Sequence, residues 1–119
     1  MFAAHYKLDN LVAFIDLNGL QIDGPTKVVM NSAPVDEKMA AFGFNVVTID
    51  GHNFEEIEKA FESFHACEGK PTAILMNTVK GKGVSYMENN VDWHGKAPTD
   101  AEYEQAMTEL NAQLKEVEA

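Results

Sequence analysis

The sequence predicts an α/β fold with three layers built on a short parallel sheet, and three observations lead to this prediction. Short apolar runs occur at residues 11–16, 44–49 and 72–79. Their length and their content of Val, Ile and Leu are typical of buried strands. Stretches with helical spacing of apolar residues lie between them and after the last one. Strands that alternate with helices usually pair in parallel.

Two helices are expected between the strands. Pro34 opens a short helix that Gly43 stops, since Pro favours the first turn and Gly the position after the last one. Asn53 is a suitable N-cap for the second helix, with Glu56 three residues further on. Gly69 marks the end of that helix.

A third helix is expected to begin at Thr99, which forms a capping-box pattern with Glu102. The helical spacing of apolar residues predicts the faces that turn towards the core. The residues on these faces are Val35, Met39 and Phe42 in the first helix, Phe54, Ile57, Phe61 and Phe64 in the second, and Tyr103, Met107, Leu110, Leu114 and Val117 in the third.

Composition and charge restrict the class of protein. The 119 residues are 45% hydrophobic and 24% charged, enough for one small domain with a core, here taken as residues 1–119. The net charge of -10 disfavours nucleic acid as a partner. No apolar run approaches the roughly 20 residues that span a bilayer, and no leader is expected at residue 1. The single cysteine, Cys67, excludes an internal disulfide and fits a cytoplasmic location.

Ligands of a parallel sheet bind on the loops that follow the carboxyl ends of the strands. Here these are the irregular loop 17–26, the turn 50–52 and the long loop 80–98. In the first loop, Asn18 comes just after a strand and can offer a neutral oxygen, the type of ligand that Mg²⁺ prefers. The pattern alone favours the alternative that Asn18 and Gly19 merely form a turn.

Several longer motifs, taken together, resemble one enzyme family. These motifs are residues 6–11 (Tyr-Lys-Leu-Asp-Asn-Leu), 14–24 (Phe-Ile-Asp-Leu-Asn-Gly-Leu-Gln-Ile-Asp-Gly), 50–52 (Asp-Gly-His), 78–88 (Thr-Val-Lys-Gly-Lys-Gly-Val-Ser-Tyr-Met-Glu) and 93–98 (Trp-His-Gly-Lys-Ala-Pro). They resemble the N-terminal section of transketolases, especially the split bacterial and archaeal ones. The resemblance covers nearly the whole chain, in order and with matching spacing.

The resemblance implies two cofactors and a role for five residues. The cofactors are thiamine diphosphate and a divalent ion, Mg²⁺ or Ca²⁺. Asn18 and the backbone carbonyl of Leu20 match ligands of the ion, whereas Gly19 and Ile22 match positions that bind the cofactor. His94 matches a histidine that contacts the diphosphate and acts as a catalytic residue beside the substrate.

Two lysines of the long loop are further candidates. Lys80 and Lys82 lie among glycines, so they could bring positive charge and backbone N–H groups towards the diphosphate. A solvated basic loop is the alternative. For His52 a turn or a helix cap is favoured.

The sequence departs from the family at two points. Leu17 replaces a polar residue that many relatives have, and no Gly-Asp-Gly motif is present. In the family that motif supplies the Asp ligand of the ion and precedes the part matched by residue 6, so the chain is interpreted as the C-terminal part of the cofactor-binding domain, truncated upstream of the motif. The expected consequences are that the isolated chain is inactive and that it has an open sheet edge.

The implied reaction is the transfer of a two-carbon ketol unit between sugar phosphates. The expected partners are a C-terminal transketolase subunit, a chain with the missing motif, or a second copy of this chain. One alternative is a deoxyxylulose-phosphate synthase-like segment, which has a similar Lys-Gly-Lys-Gly loop; residues 19–24 and 94–98 favour transketolase. The other alternative is a non-catalytic remnant or interaction subunit.

Overall fold

The computed structural model describes residues 1–118 and contains five helices, five strands and one 3₁₀ helix in that range. In chain order the elements are α1 (Phe2–His5), β1 (Val12–Leu17), β2 (Leu20–Gln21), β3 (Gly24–Pro25), α2 (Thr26–Val29), α3 (Val35–Ala41), β4 (Asn45–Asp50), α4 (Phe54–Ala66), β5 (Thr72–Asn77), the 3₁₀ helix Val91–His94 and α5 (Asp100–Val117). No helix in this range is long and apolar enough to cross a membrane.

The main sheet has three parallel strands in the order β1-β5-β4, which confirms the α/β fold with a short parallel sheet. Leu17 and Asp50 both pair with Asn77, so the carboxyl ends of the three strands are level. The third predicted strand is too long by two residues, because Thr78 and Val79 follow the end of β5.

The core is built around β5. Residues 72–75 are at most 2% exposed, and Ile74 packs with Ile49 of β4 and Ala60 of α4. A parallel strand with a neighbour on each side is expected to be apolar along its whole length. The one polar side chain there, Thr72, accepts a hydrogen bond of 3.2 Å from the side-chain amide of Asn45.

The prediction that the first strand is buried is wrong. Phe14 of β1 is 50% exposed, and none of the six residues of the strand is fully buried. The reason is that β1 lies at the edge of the three-stranded sheet and pairs only with β5 among the described residues. The ring of Phe14 lies 5.8 Å from that of Phe61, which is itself 37% exposed.

The predicted apolar face of α4 is confirmed in part: Ile57 packs against the core and Phe64 is half-buried, whereas Phe54 and Phe61 are exposed. Phe54 is 86% exposed, whereas the buried residue of the helix is Ala60, at 1%. A small side chain lets the helix approach the sheet closely, so the larger side chains lie beside the contact.

In α3, Val35 and Met39 are half-buried as expected, but Phe42 is exposed because it is the C-cap residue.

The predicted apolar face of α5 is also mostly exposed. Ala106 is the buried residue of this helix and Met107 is half-buried. The exposed members of the predicted face are Tyr103, Leu110, Leu114 and Val117. Polar side chains of α5 contact the preceding loop instead, as the hydrogen bonds from Ser85 to Glu109 show.

Both predicted helix caps are confirmed. The side chain of Asn53 accepts hydrogen bonds from the backbone N–H groups of Glu55 (3.0 Å) and Glu56 (3.2 Å). Thr99 and Glu102 form a reciprocal capping box at the start of α5. Such contacts satisfy N–H groups that have no partner inside the helix.

The chain forms two compact units. The first consists of residues 1–18 and 30–78 and contains the parallel sheet, and the second consists of residues 19–29 and 79 onwards. The loop predicted over residues 17–26 is more regular than expected, since β2 and β3 pair there as a small antiparallel hairpin. The single domain over 1–119 stays a prediction, and its last residue lies outside the described ones.

The substitution Ile74→Ala is expected to destabilise the first unit by about 2–5 kcal/mol, because it leaves a cavity at the centre of the core. Urea unfolding followed by circular dichroism measures this loss. Val28→Ala is the control, since Val28 is 80% exposed and its substitution should change the unfolding free energy by less than about 0.5 kcal/mol. Equal losses in the two variants would contradict the assignment of the core.

Candidate functional site

The carboxyl edge of the parallel sheet carries a polar cluster in the first unit. The hydroxyl of Thr78 donates a short hydrogen bond to the carboxylate of Asp16, across 62 positions of the sequence. The amide of Asn18 donates to the other carboxylate oxygen at 3.4 Å. These contacts fix Asn18, the candidate metal ligand, at the end of β1 and next to the end of β5.

Gly51 lets the turn after β4 approach the same edge. Its N–H donates to the carbonyl of Asn77 at 2.8 Å. A Cβ atom at this position would lie 2.6 Å from Cγ2 of Thr78 and 2.9 Å from Cβ of Met76, so only glycine fits. The backbone of His52 donates to the carboxylate of Asp50 at 2.9 Å, which agrees with its interpretation as a turn residue.

The hairpin of β2 and β3 presents two of the candidate residues in the second unit. The carbonyl of Gly19 accepts hydrogen bonds from the N–H (2.9 Å) and the hydroxyl (3.2 Å) of Thr26, which close the hairpin at its base. Leu20 pairs with Pro25. Ile22 lies in the two-residue loop of the hairpin and is 63% exposed, so its apolar side chain is on the surface.

Several N–H groups of the loop around residues 80–88 are hydrogen-bonded within the chain, and the expectation that this loop brings N–H groups towards a diphosphate stays a prediction. The N–H of Gly83 donates to Glu88 at 3.0 Å, and Ser85 donates both its N–H and its hydroxyl to Glu109 of α5, each at 2.7 Å. These bonds from Ser85 are the main cause of the lowered pKa of Glu109. The ammonium of Lys82 lies 3.8 Å from Glu88. Carboxylates of the chain thus accept from Gly83 and Ser85, whereas the backbone N–H of Lys82 donates to the carbonyl of Val79 at 3.2 Å.

His94 is the last residue of the one-turn 3₁₀ helix and its side chain is exposed. Asn90 caps the start of this helix, since its side chain accepts from the N–H of Asp92 at 3.0 Å. The indole of Trp93 donates to the carbonyl of Tyr86 at 3.0 Å, and the two rings lie 5.1 Å apart. The imidazole is therefore accessible, while the residue before it is anchored.

In the second unit, the pKa of Glu102 is lowered and the pKa of Tyr86 is raised. Hydrogen bonds from the backbone of Thr99, then from Lys96 and from the Thr99 hydroxyl, lower the pKa of Glu102 to about 2. The phenol of Tyr86 donates to the carbonyl of Glu102 at 2.6 Å. Partial desolvation, and then the charges of Glu102 and Glu109, raise the pKa of Tyr86.

The residues predicted to bind a divalent ion do not make a complete metal site among the described residues. Within residues 1–118 no group of three His, Cys, Asp or Glu side chains could hold a metal ion. Of the residues predicted from the sequence, Asn18 belongs to the first unit, whereas Gly19, Leu20, Ile22 and His94 belong to the second. An amide and a carbonyl oxygen alone leave the charge of the ion unbalanced, so these residues do not fit as a complete site.

Sequence reasoning assigned no role to Asp16, Thr78 or Glu102 as parts of a site. The position of Asp16 near the end of a strand was a usable signal, because strand ends carry ligand-binding residues. Its pairing with Thr78 had no local signal, since the two residues meet only through the register of β1 and β5. The Lys96 contact of Glu102 was likewise not visible from the capping-box pattern.

A parallel sheet with polar side chains and turns at its carboxyl edge defines an α/β domain of the ligand-binding class. The family described as "Transketolase, thiamine diphosphate binding domain" matches residues 1–117. The chain belongs to this family, which confirms the resemblance seen in the sequence motifs.

Two curated relatives are named as single subunits of transketolases. The chain is 42% identical over 118 residues to a subunit of the apulose-4-phosphate transketolase of Phocaeicola vulgatus, a match that covers 99% of this chain and 42% of the relative. It is 44% identical over 110 residues to the 6-deoxy-6-sulfo-D-fructose transketolase subunit SqwG of a Clostridium species, covering 92% of this chain and 40% of the relative. The chain thus spans about two fifths of their length.

A solved structure shows the same fold. The transketolase of Campylobacter jejuni superposes with a TM-score of 0.80 at 30% sequence identity, covering 90% of this chain and 17% of the larger one.

The substitution Gly51→Ala is expected to destabilise the first unit by about 1–3 kcal/mol, because the added methyl group forces Thr78 or Met76 away from the carboxyl edge. Chemical denaturation measures the change. Gly95→Ala is the control, since a Cβ at Gly95 has no neighbour within 4 Å. If both variants unfold at the same denaturant concentration as the unmodified chain, the close approach of the turn is refuted.

Acid is expected to break the contacts of Glu102 only at very low pH. Its pKa in the folded chain lies below the ordinary value of 4.5, so its stabilising contribution is fully present above pH 4.5 and is lost as the pH falls through about 2. Carboxyl ¹³C NMR follows the titration. Lys96→Met should raise this pKa more than Thr99→Ala does, because alanine keeps the backbone N–H that is the largest cause, and the bond from Lys96 contributes more than the bond from the Thr99 hydroxyl. The reverse order would contradict this account.

Proposed function

We propose that this chain supplies part of the thiamine diphosphate site of a transketolase-type enzyme, which transfers a two-carbon ketol unit between sugar phosphates. The observation that carries the proposal is the position of Asn18 at the carboxyl edge of the sheet, fixed by the Asp16 and Thr78 contacts. That edge is where α/β domains bind their ligands.

Five residues would take part in binding. The amide oxygen of Asn18 and the carbonyl of Leu20 would be two ligands of Mg²⁺ or Ca²⁺, both of which bind oxygen. Gly19 would lie against the cofactor, and the exposed side chain of Ile22 would pack against its rings. The ion needs further ligands from other protein, because no carboxylate cluster of the described residues can hold it.

His94, the fifth residue, would act at the diphosphate end of the cofactor. An exposed imidazole can donate a hydrogen bond to a phosphate or substrate oxygen, or hold and move a proton near neutral pH. Thiamine diphosphate, when bound, supplies the bond-breaking chemistry of ketol transfer, and the protein binds and orients it.

The proposed enzyme is a cytoplasmic assembly of more than one part. The chain matches only about two fifths of relatives that are named as subunits, which supports a partner that completes the site. We expect this partner to carry a Gly-Asp-Gly motif or to be the second transketolase subunit. The isolated chain would then be inactive.

A second candidate is a non-catalytic interaction subunit, which pairs with a copy of itself or with another protein. The half-exposed Phe14 on the edge strand β1 favours this candidate, since an open edge with apolar side chains can pair with another strand.

Calorimetric titration of thiamine diphosphate and Mg²⁺ into the isolated chain is expected to show no tight binding, because the ion has too few ligands. The Phocaeicola vulgatus relative, titrated under the same conditions, is the reference. Tight binding by the isolated chain would contradict the proposed need for a partner.

A chimera tests the role of Asn18 directly. Residues 1–118 would replace the matching segment of the Phocaeicola vulgatus relative, to which the chain is 42% identical. In this chimera, Asn18→Ala is expected to weaken Mg²⁺-dependent binding of thiamine diphosphate at least about 10-fold, the scale seen even for residues that only support a metal ligand. Asn31→Ala, an exposed position outside the proposed site, is the matched control. Equal affinities in the two variants would refute the assignment.

A further inference from the structure

The segment that carries His94 is held by side chains on both sides. Before it, Trp93 is anchored to Tyr86 through the indole N–H and the adjacent rings. After it, the ammonium of Lys96 lies 4.2 Å from the centre of the Trp93 ring and 2.9 Å from a carboxylate oxygen of Glu102. Lys96 thus makes a cation–π contact and an ion pair at the same time.

The backbone around His94 needs such contacts to adopt one conformation. The 3₁₀ helix has only four residues, and hydrogen bonds in such helices have poorer geometry than those of an α-helix. Residues 96–99 after it have no regular structure. The direction of the imidazole is therefore not imposed by its own helix.

Glu102 connects this segment to α5. Its carboxylate accepts from the N–H (2.7 Å) and the hydroxyl (2.8 Å) of Thr99, so it is fixed in the first turn of a helix of 18 residues. Its carbonyl accepts from the Tyr86 phenol. Glu102 of α5 thus contacts both Tyr86 and Lys96, the two residues that hold Trp93.

We propose that Glu102 is a positioning residue for His94: its carboxylate holds Lys96 against Trp93, and this fixes the backbone that presents the imidazole. The inference rests on the proposed function, in which His94 faces the diphosphate and the substrate. Glu109 also acts on this cluster, since its charge contributes to the raised pKa of Tyr86.

The chain's only tryptophan gives a direct readout, because all indole fluorescence comes from Trp93. Glu102→Gln keeps a residue suited to the capping box but removes the charge that binds Lys96. It is expected to increase the open population of the segment about 2- to 5-fold, the factor that corresponds to one exposed cation–π contact or ion pair. Acrylamide quenching of Trp93 should rise, and the ring protons of His94 should broaden in NMR spectra.

Matched variants separate positioning from general stability. Lys96→Met should raise the quenching of Trp93 as Glu102→Gln does. Lys96→Arg should leave the quenching as it is in the unmodified chain, because Arg can make both contacts. Glu104→Gln, on an exposed residue of the same helix, should change nothing. Thr99→Ala should lower the helix content by circular dichroism, a change that Glu102→Gln should not share.

Two results would overturn the proposal. One is unchanged Trp93 quenching in both Glu102→Gln and Lys96→Met, and the other is quenching in Lys96→Arg that is as high as in Lys96→Met. The proposed function fails separately. If His94→Ala in the chimera leaves thiamine diphosphate affinity and ketol transfer unchanged, while the quenching results are as expected, Glu102 positions the segment but His94 is not part of the site.

Discussion

The burial of β5 between β1 and β4 is the constraint on which the first unit depends. Residues 72–75 are removed from water almost completely, and the parallel pairing on both sides satisfies their backbone groups. The same pairing places Leu17, Asn77 and Asp50 level with one another. The carboxyl edge, with its polar cluster around Asp16, is therefore a direct consequence of the register of the core.

In the second unit, polar contacts join α5 to the preceding loop, beside the buried apolar side chains of Val84 and Ala106. Glu109 holds Ser85, Gln113 donates to the carbonyl of Gly83 at 2.8 Å, and Glu102 accepts from Tyr86 and Lys96. Charged acceptors make stronger hydrogen bonds than neutral ones. Both donors of Ser85 are thus bonded to α5.

The family match and the composition of the candidate site both bear on the proposed function. The family match covers residues 1–117, but the chain matches only about two fifths of the curated relatives. Asn18 and Leu20, the two candidate metal ligands, lie in different units, and no group of three His, Cys, Asp or Glu among the described residues could hold a metal ion. Both observations support the proposal that another protein completes the site.

The sequence by itself determined the α/β fold, the family, the helix caps at Asn53 and Thr99, and the candidate residues, because turn chemistry, capping and long motifs are local. Only the tertiary structure decided which side chains are buried and which residues, distant in the sequence, are in contact. Ala60 rather than Phe54 faces the core, since helix-to-sheet distance selects a small residue that spacing alone does not identify. The Asp16–Thr78 pair exists because strand register joins positions that no local pattern connects.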